Sequence, residues 1–585
     1  MTPIKKIQNW MKKNTNDIFL INRTDEFLSE YIADYAERLK WISNFSGSAG
    51  RAIIEQEKAY LFVDGRYTTQ ANQEVDSNFF VIKHFHDYWL HLKQYKKDNK
   101  IIALDPLLHS VKEVENIQKF FINTKIILNY LEKNPIDINW NNQPPRPNSK
   151  AFFHGEKYAG ENIWSKIDRI QKIVQLKFVD FYLLSSLDSI AWLLNLRGND
   201  IKYTPLLCCH IIIPRQGKIE LFIDLSKIEH LITDLSDYIN FHPFNELDQY
   251  LLSIDSKKNI GIDERLTAFH FKNLFRKKRI IIQHLDNPCL YPKAIKNQIE
   301  LKGAREANLR DGVSITKFLF WLKKRMIVEK TDEIKAANYL LNLRKKNYLF
   351  YSPSFDTISA FGPHGALPHY RVNNDSNLSF TKNAIFLVDS GGQYKDGTTD
   401  ITRTVIIGTS TDEQKDRFTR VLKGHIAIAE AIFPVGTRGF SLDPMARKFL
   451  QEVNCDYDHG TGHGIGSFLS VHEGPQKFAK SQDQSDGIIE NGMIISNEPG
   501  YYKEGEYGIR IENLMICQPH KENFLFFETI SFAPIDIELI KISLLSNKEI
   551  EWINNYHENV YKKISPNLTK EEERWLRDVT SPLEI

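Results

Sequence analysis

IFLVDSGGQY (385–394), TTDITRT (398–404), HGTGHGIG (459–466), SVHEGP (470–475), NEPGYY (497–502) and RIEN (510–513) follow one another between Ile385 and Asn513. Asp389 and Asp400 stand early in this stretch, His463 lies in a glycine cluster, and Glu498 and Glu512 stand late. Asp389 ends an apolar run of β character, and the turn at Asp396-Gly397 leads into a second run, so a hairpin returns Asp400 to the neighbourhood of Asp389. Pairing of NEPGYY with YGIRIEN about Gly505 sets Glu498 opposite Glu512. Four acids gathered on two hairpins repel one another unless cations lie between them.

Carboxylates and one imidazole are mostly hard oxygen ligands, too many for one tetrahedral zinc and enough for two divalent ions if a carboxylate or two bridges. Two such ions, about 4 Å apart, can activate a water and polarise a carbonyl, which is hydrolytic chemistry. The glycines at 460, 462, 464 and 466 argue against a helix. His459 and His463 are therefore no helical zinc pair, and only His463 is read as a ligand. Arg510, two before Glu512 on the same strand, projects to the same face and can steady the acidic cluster.

DSGGQYKDGTTDITRT, HGTGHGIGSFLSVHEGP and NEPGYYKEGEYGIRIEN closely resemble the pita-bread metallopeptidases, within them the long, three-domain Xaa-Pro aminopeptidases of the eukaryotic cytosolic type. WISNFSGSAG with VDGRY near the start, SLDSIAWLLNLRG in the middle and WINNYHENVY near the end resemble the same family, so nearly the whole chain is covered. The resemblance implies an α+β protein with a C-terminal pita-bread domain preceded by two related creatinase-like α/β domains. It implies cleavage between an N-terminal residue and a penultimate proline, and a homodimer formed through the leading domains. Proline lacks an N–H, so a pocket for it need satisfy no donor there. Prolidase, limited to dipeptides, is the nearest alternative. A non-catalytic peptide-binding pita-bread protein is a third reading, opposed by the presence of all five ligand-type residues.

Charge balances at four negative against four positive if two divalent ions are held. On this assignment Asp389 and Asp400 bind one ion, Asp400 and Glu512 bridge, and His463 and Glu498 complete the second. Mn2+ is the first choice, because oxygen-rich octahedral sites suit it and the resemblance points the same way, with cobalt or zinc as substitutes in vitro. Glu498 would relay a proton to the leaving nitrogen. The family places a histidine of the phrase matching PHY beside the metals, which is His369 here, and with His472 it would support the oxyanion. His459 and His472 match family histidines lining the substrate pocket; for His459 a structural role in a glycine-shaped loop stands beside the functional one. His364 has no such counterpart and reads as an exposed loop histidine.

The remaining chain sets bounds. Across 585 residues, 76 basic and 74 acidic side chains nearly cancel, so neither nucleic acid nor an acidic membrane surface is an expected partner. Five cysteines without a CxxC pair favour a reducing compartment. With no signal-like or membrane-length apolar segment, a cytoplasmic protein is expected. Residues 1–140 form a first domain, the Pro- and Asn-rich run up to Lys150 a linker, 151–290 a second domain, and 291–585 the catalytic domain with its extension. Trp41 to Gly47 and Trp192 to Gly198 share the pattern WxxNxxG, each ahead of a strand, AYLFVD or IELFID, which points to two related α/β domains. Arg66 is a candidate substrate contact, as is Arg197, against the stronger reading of both as structural hydrogen-bond donors. Ile315, Phe318, Leu319, Leu322 and Met326 recur at helical spacing and face a core. Thr331 is the expected cap of the next helix, FLFFETISFAPIDIELIKI reads as closing strands, and Thr569 to Glu572 as a capping box for the last helix.

Overall fold

In the computed structural model, the two WxxNxxG phrases occupy equivalent places in two sheets built alike. All residues are described except 326–329, 483, 484, 486 and 585, so Met326 lies outside the described residues. The chain forms two compact units, Met1–His154 with Glu161–Leu290, and Gly155–Gly160 with Tyr291–Ile585.

The first unit holds strands Ile18–Asn22 (β1), Arg51–Glu55 (β2), Ala59–Val63 (β3), Phe80–His84 (β4), Ile101–Leu104 (β5) and Ile127–Tyr130 (β6) in the order β4-β3-β2-β1-β5-β6. Its second sheet repeats that order: Phe181–Leu184 (β7), Cys209–Pro214 (β8), Ile219–Ile223 (β9), Ile239–Pro243 (β10), Asn259–Ile262 (β11) and Ile281–His284 (β12) run β10-β9-β8-β7-β11-β12. In each, the central hairpin is antiparallel and the flanking strands parallel. Trp41 and Trp192 each lie in a short helix, and the asparagine of each motif takes the left-handed conformation, at φ 66 for Asn44 and 47 for Asn195. Asparagine tolerates that region better than other side chains with a Cβ, which is why the pattern keeps it. Leu20, Phe62, Leu104, Phe222 and Ile262, drawn from both sheets, share one hydrophobic cluster. Arg197 is buried and donates to the carbonyls of Ala191 and Leu196, while Arg66 is held by Asp64 at 2.7 Å.

The second unit is organised around helix Gln298–Arg325 (α1), whose Ile315, Phe318, Leu319 and Leu322 are buried in the main core. Trp321 is buried as well and stacks on Tyr339 at 4.1 Å. Helix Glu333–Arg344 (α2) is capped one residue later than expected: Asp332 accepts from Lys335 N at 2.7 Å, whereas the buried hydroxyl of Thr331 has no partner among the described residues. A carboxylate in register with the N3 amide outcompetes a hydroxyl one residue short of it. Strands Ile358–Phe361 (β13), Ala384–Ser390 (β14) and Ile401–Ile407 (β15) form an antiparallel sheet backed by helices Asp412–Ala429 (α3) and Asp443–Gln451 (α4). A second antiparallel sheet contains Gly462–Gly464 (β16), Glu473–Phe478 (β17), Ile494–Asn497 (β18), Asn513–Pro519 (β21) and Phe524–Thr529 (β22), with the hairpin Gly500–Lys503 (β19) and Tyr507–Arg510 (β20) beside it. Of the expected closing strands only β22 forms. Beyond it the backbone is satisfied by side chains instead of a ladder, Arg403 donating to Ala533 O and Pro534 O, and His557 Nε2 accepting from Ile535 N. Helices Asn547–Ile564 (α5) and Lys570–Val579 (α6) end the chain, each opened by a capping box, Ser546 with Glu549 and Thr569 with Glu572.

Candidate active site

β14 and β15 pair with Asp389 opposite Thr402, and Asp400 immediately precedes β15. The later acids meet by the same logic. Asn497 pairs with Asn513 and Gly500 with Arg510, so Glu498 falls opposite Glu512 between the two ladders. Gly505 makes the return possible at φ +72, with open space around it. Thr402 joins the two halves: its hydroxyl donates to Glu512 Oε2 at 2.8 Å, and its carbonyl accepts from Glu512 N.

His463 sits on β16, not on a helix. Its Nδ1–H donates to Gly464 O at 3.0 Å, which leaves the Nε2 lone pair facing Asp400 at 3.6 Å and Glu498 at 3.4 Å. One ligand atom each from Asp400, His463 and Glu512 lies within 4.8 Å of the other two. Three buried carboxylate oxygens, Asp389 Oδ1, Asp400 Oδ1 and Glu512 Oε1, have no hydrogen-bond donor among the described residues. Burial first, and then the fields of Glu512, Asp389 and Glu498, push the Asp400 carboxyl well above the ordinary range. Glu512 rises likewise by burial and the charges of Glu498 and Asp389. Glu498 is pushed up to about 7, chiefly by burial, against the lowering effect of Arg510. Such a cluster is electrostatically unfavourable until protons or cations enter it.

Arg510 begins a hydrogen-bonded relay away from the acids. It donates to Asp389 Oδ2 and to the Tyr502 hydroxyl, both at 2.6 Å. The Tyr502 hydroxyl is 2.8 Å from His459 Nε2, and His459 Nδ1–H donates to Gly460 O. A third guanidinium contact reaches Pro368 O, the residue before His369, at 3.2 Å. His472 packs its ring edge-on against His463, with centroids 4.3 Å apart. Arg66 belongs to the other compact unit. His364 departs from expectation: it is only partly exposed, because its Nδ1–H donates to the buried Glu333 at 2.9 Å and its ring stacks on Tyr370.

Known proteins share both the sequence and the fold around this site. Residues 302–519 match metallopeptidase family M24 and 523–583 the C-terminal region of peptidase M24; 3–128 and 142–300 each match a creatinase/prolidase N-terminal domain. A probable Xaa-Pro aminopeptidase P of Neosartorya fischeri is 37% identical over 606 residues, covering 99% of this chain and 92% of that one. The chain belongs to the Xaa-Pro aminopeptidase P family. The X-prolyl aminopeptidase of Caenorhabditis elegans, a cytosolic enzyme with a di-nuclear active site, superposes with a TM-score of 0.94 over 100% of both chains at 30% identity. An Xaa-Pro dipeptidase of Bacillus anthracis, 24% identical with a TM-score of 0.53, covers 64% of this chain and 99% of its own, a likeness of fold alone. The expected architecture, α+β with a pita-bread domain after two creatinase-like domains, is thereby borne out.

For an aminopeptidase P fold the donor set is apt. Hard carboxylate oxygens with one oriented imidazole, three oxygens lacking donors, suit divalent ions of the manganese or zinc kind. Several supporting residues escaped the sequence reading. Ser496 donates to Glu498 Oε1 at 3.2 Å, Tyr502 bridges Arg510 and His459, and Glu473, next to His472, is buried between Lys293 and Lys296. Only Glu473 carried a sequence signal, an acid inside the HEGP phrase.

Proposed function

We propose that this chain is a two-metal aminopeptidase that hydrolyses the bond between an N-terminal residue and a proline in second position. The observation that carries the reading is the set of donor-free buried carboxylate oxygens beside His463, in a chain that aligns end to end with aminopeptidase P proteins. Asp389 and Asp400 would hold one ion, Asp400 and Glu512 would bridge, and His463 and Glu498 would complete the second, with Mn2+ favoured by the oxygen-rich set. Bound there, divalent ions supply an acidic water and polarise the scissile carbonyl.

The chain's own groups do the rest. Glu498 Oε1, steadied by Ser496, takes the proton of the attacking water and hands it to the proline nitrogen, since a tertiary amide nitrogen leaves poorly unless protonated. His369 and His472 donate to the oxygen that gains charge at the tetrahedral stage. His459 lines the peptide pocket at the end of the Arg510–Tyr502 relay. Arg510 fixes Asp389, while Arg66 is engaged by Asp64 in a structural ion pair. The domain limits 1–140, 151–290 and 291–585 belong to the same reading, as do a homodimer and a cytoplasmic location; five cysteines not joined in disulfides and the cytosolic nematode relative support the last.

The test is metal analysis with kinetics. Two transition-metal equivalents, lost with turnover of Arg-Pro-Pro on chelation and regained with Mn2+, are expected. Cleavage of Gly-Pro without Arg-Pro-Pro would make the chain a dipeptidase instead. Metal binding with no turnover of either would make it a peptide-binding protein.

A further inference from the structure

Between β13 and β14 the chain runs through residues 362–383 with a single 3₁₀ turn, Gly362–Ala366, as its only helical or strand element. His369 lies in that irregular segment. One carboxylate gathers it. Glu333 opens α2, and its side chain is completely shielded from solvent. Its Oε1 accepts from Phe361 N at 2.8 Å and His364 Nδ1 at 2.9 Å; its Oε2 accepts from the Tyr370 hydroxyl at 3.0 Å and Leu378 N at 2.9 Å. These donors come from the entry to the segment, its first turn, the residue after His369 and the returning limb. The backbone repeats the tie, with Glu333 N donating to Leu378 O and Ser359 Oγ to Glu333 O.

Helix capping does not account for this. Asp332 already caps α2, and a first-turn acid is favoured by the helix dipole without any need for four convergent donors. The arrangement makes sense from the other side of His369. Pro368 O is held by Arg510, which also holds Asp389, while Tyr370 is buried, stacked on His364 and bonded to Glu333. His369 is thus spanned by two anchored neighbours.

We infer that Glu333 is a positioning residue for the reaction: acting through Tyr370 and His364, it fixes the backbone at His369 and hence the point from which that imidazole meets the scissile carbonyl. The inference rests on the function proposed above. Glutamine at 333 would keep one acceptor oxygen but turn an NH2 toward N–H donors that cannot reorient.

The experiment is a double-mutant cycle on the full-length, Mn2+-loaded protein with Arg-Pro-Pro. Glu333→Gln should lower kcat about 10- to 100-fold with KM changed less than about threefold and both metals kept. In a His369→Ala background its further cost should shrink below about threefold, because both changes act on one group. Tyr370→Phe should lower kcat several-fold and lose that effect in the same background. Equal losses in both backgrounds, or an unchanged kcat per metal-loaded molecule, overturn the inference. If Glu333→Gln does not fold, Tyr370→Phe is measured in the same two backgrounds, and the same outcomes support or overturn it. His369→Ala with wild-type kinetics overturns the inference alone, whereas a wild type that leaves Arg-Pro-Pro uncut overturns the functional reading and the inference with it.

Discussion

Arg510 holds Asp389 by a single 2.6 Å hydrogen bond to Oδ2, and in doing so leaves Oδ1 with no donor among the described residues. The guanidinium is at the same time fixed by Tyr502 and Pro368 O, so the choice of which oxygen stays available is made by a planar fork with its other arms occupied.

A lysine at 510 would keep the charge and lose the fork. Arg510→Lys and Arg510→Ala are each expected to weaken divalent-metal affinity by about 10- to 100-fold, the usual consequence of removing the group that orients a ligand. Competition against a fluorescent chelator measures this directly. Wild-type affinity in the lysine variant would mean that charge alone matters at Asp389.

The raised carboxyls of Asp400, Glu512 and Glu498 make the metal-free fold pH-dependent in a defined direction. A carboxyl whose pKa is raised by folding binds its proton more tightly in the native chain than in the unfolded one. Its contribution is therefore complete below the unfolded pKa and is lost as pH rises to the folded value, by about 1.4 kcal/mol per unit per group. For Glu498 that window runs from the ordinary 4.5 to about 7. The chelated protein should lose Tm steadily across this window, and the gain on adding Mn2+ should grow across it as protons give way to the ion. Calorimetric titrations in two buffers of different ionisation heat should register proton release. A flat Tm in chelator, or no proton release, would contradict the coupling.

The register of both acid-bearing hairpins was legible because strand alternation and a turn glycine leave little freedom: pairing about Gly505 determines the partner of every residue from Glu498 to Glu512. An acid inside an apolar strand is also conspicuous, since burying it is costly without a partner. Glu333 had no such contrast, standing in an ordinary polar helix start far from the residues it holds. Its donors are two backbone amides, a tyrosine and His364, the very histidine that, lacking a family counterpart, reads from the sequence as an exposed loop residue. Thr331 and Asp332 illustrate a different limit, because adjacent cap-forming residues give no sequence sign of which one the tertiary fold will align with N3.

Glu473 is buried between two lysines, at 2.7 Å from Lys293 and in direct contact with Lys296, all three side chains no more than 1% exposed. Removing its charge leaves two buried ammonium groups around a neutral partner. Glu473→Gln should cost about 3–5 kcal/mol of stability, as breaking a buried ion pair from one side does. Urea denaturation at fixed metal loading measures it. A cost below about 1 kcal/mol would mean that water reaches the lysines.

Two glycines in the β19–β20 hairpin should both matter for stability, but only one of them for turnover. A Cβ on Gly508 would stand 1.7 Å from Gly365 O and 2.4 Å from Gly365 C, where β20 passes against the 3₁₀ turn that precedes His369. Neither contact is the end of a flexible side chain, so one backbone must move. Gly508→Ala should cost about 1–3 kcal/mol as overpacking, and it should also reduce kcat, because the displaced turn leads directly to His369. Gly505 meets nothing within 4 Å, and its only constraint is its φ of +72. Gly505→Ala should cost about 1–2 kcal/mol through that angle and leave kcat near wild type. Thermal melts paired with kinetics on Arg-Pro-Pro separate the two; if both variants lose stability and neither loses kcat, the packing of Gly365 on Gly508 does not govern where His369 stands.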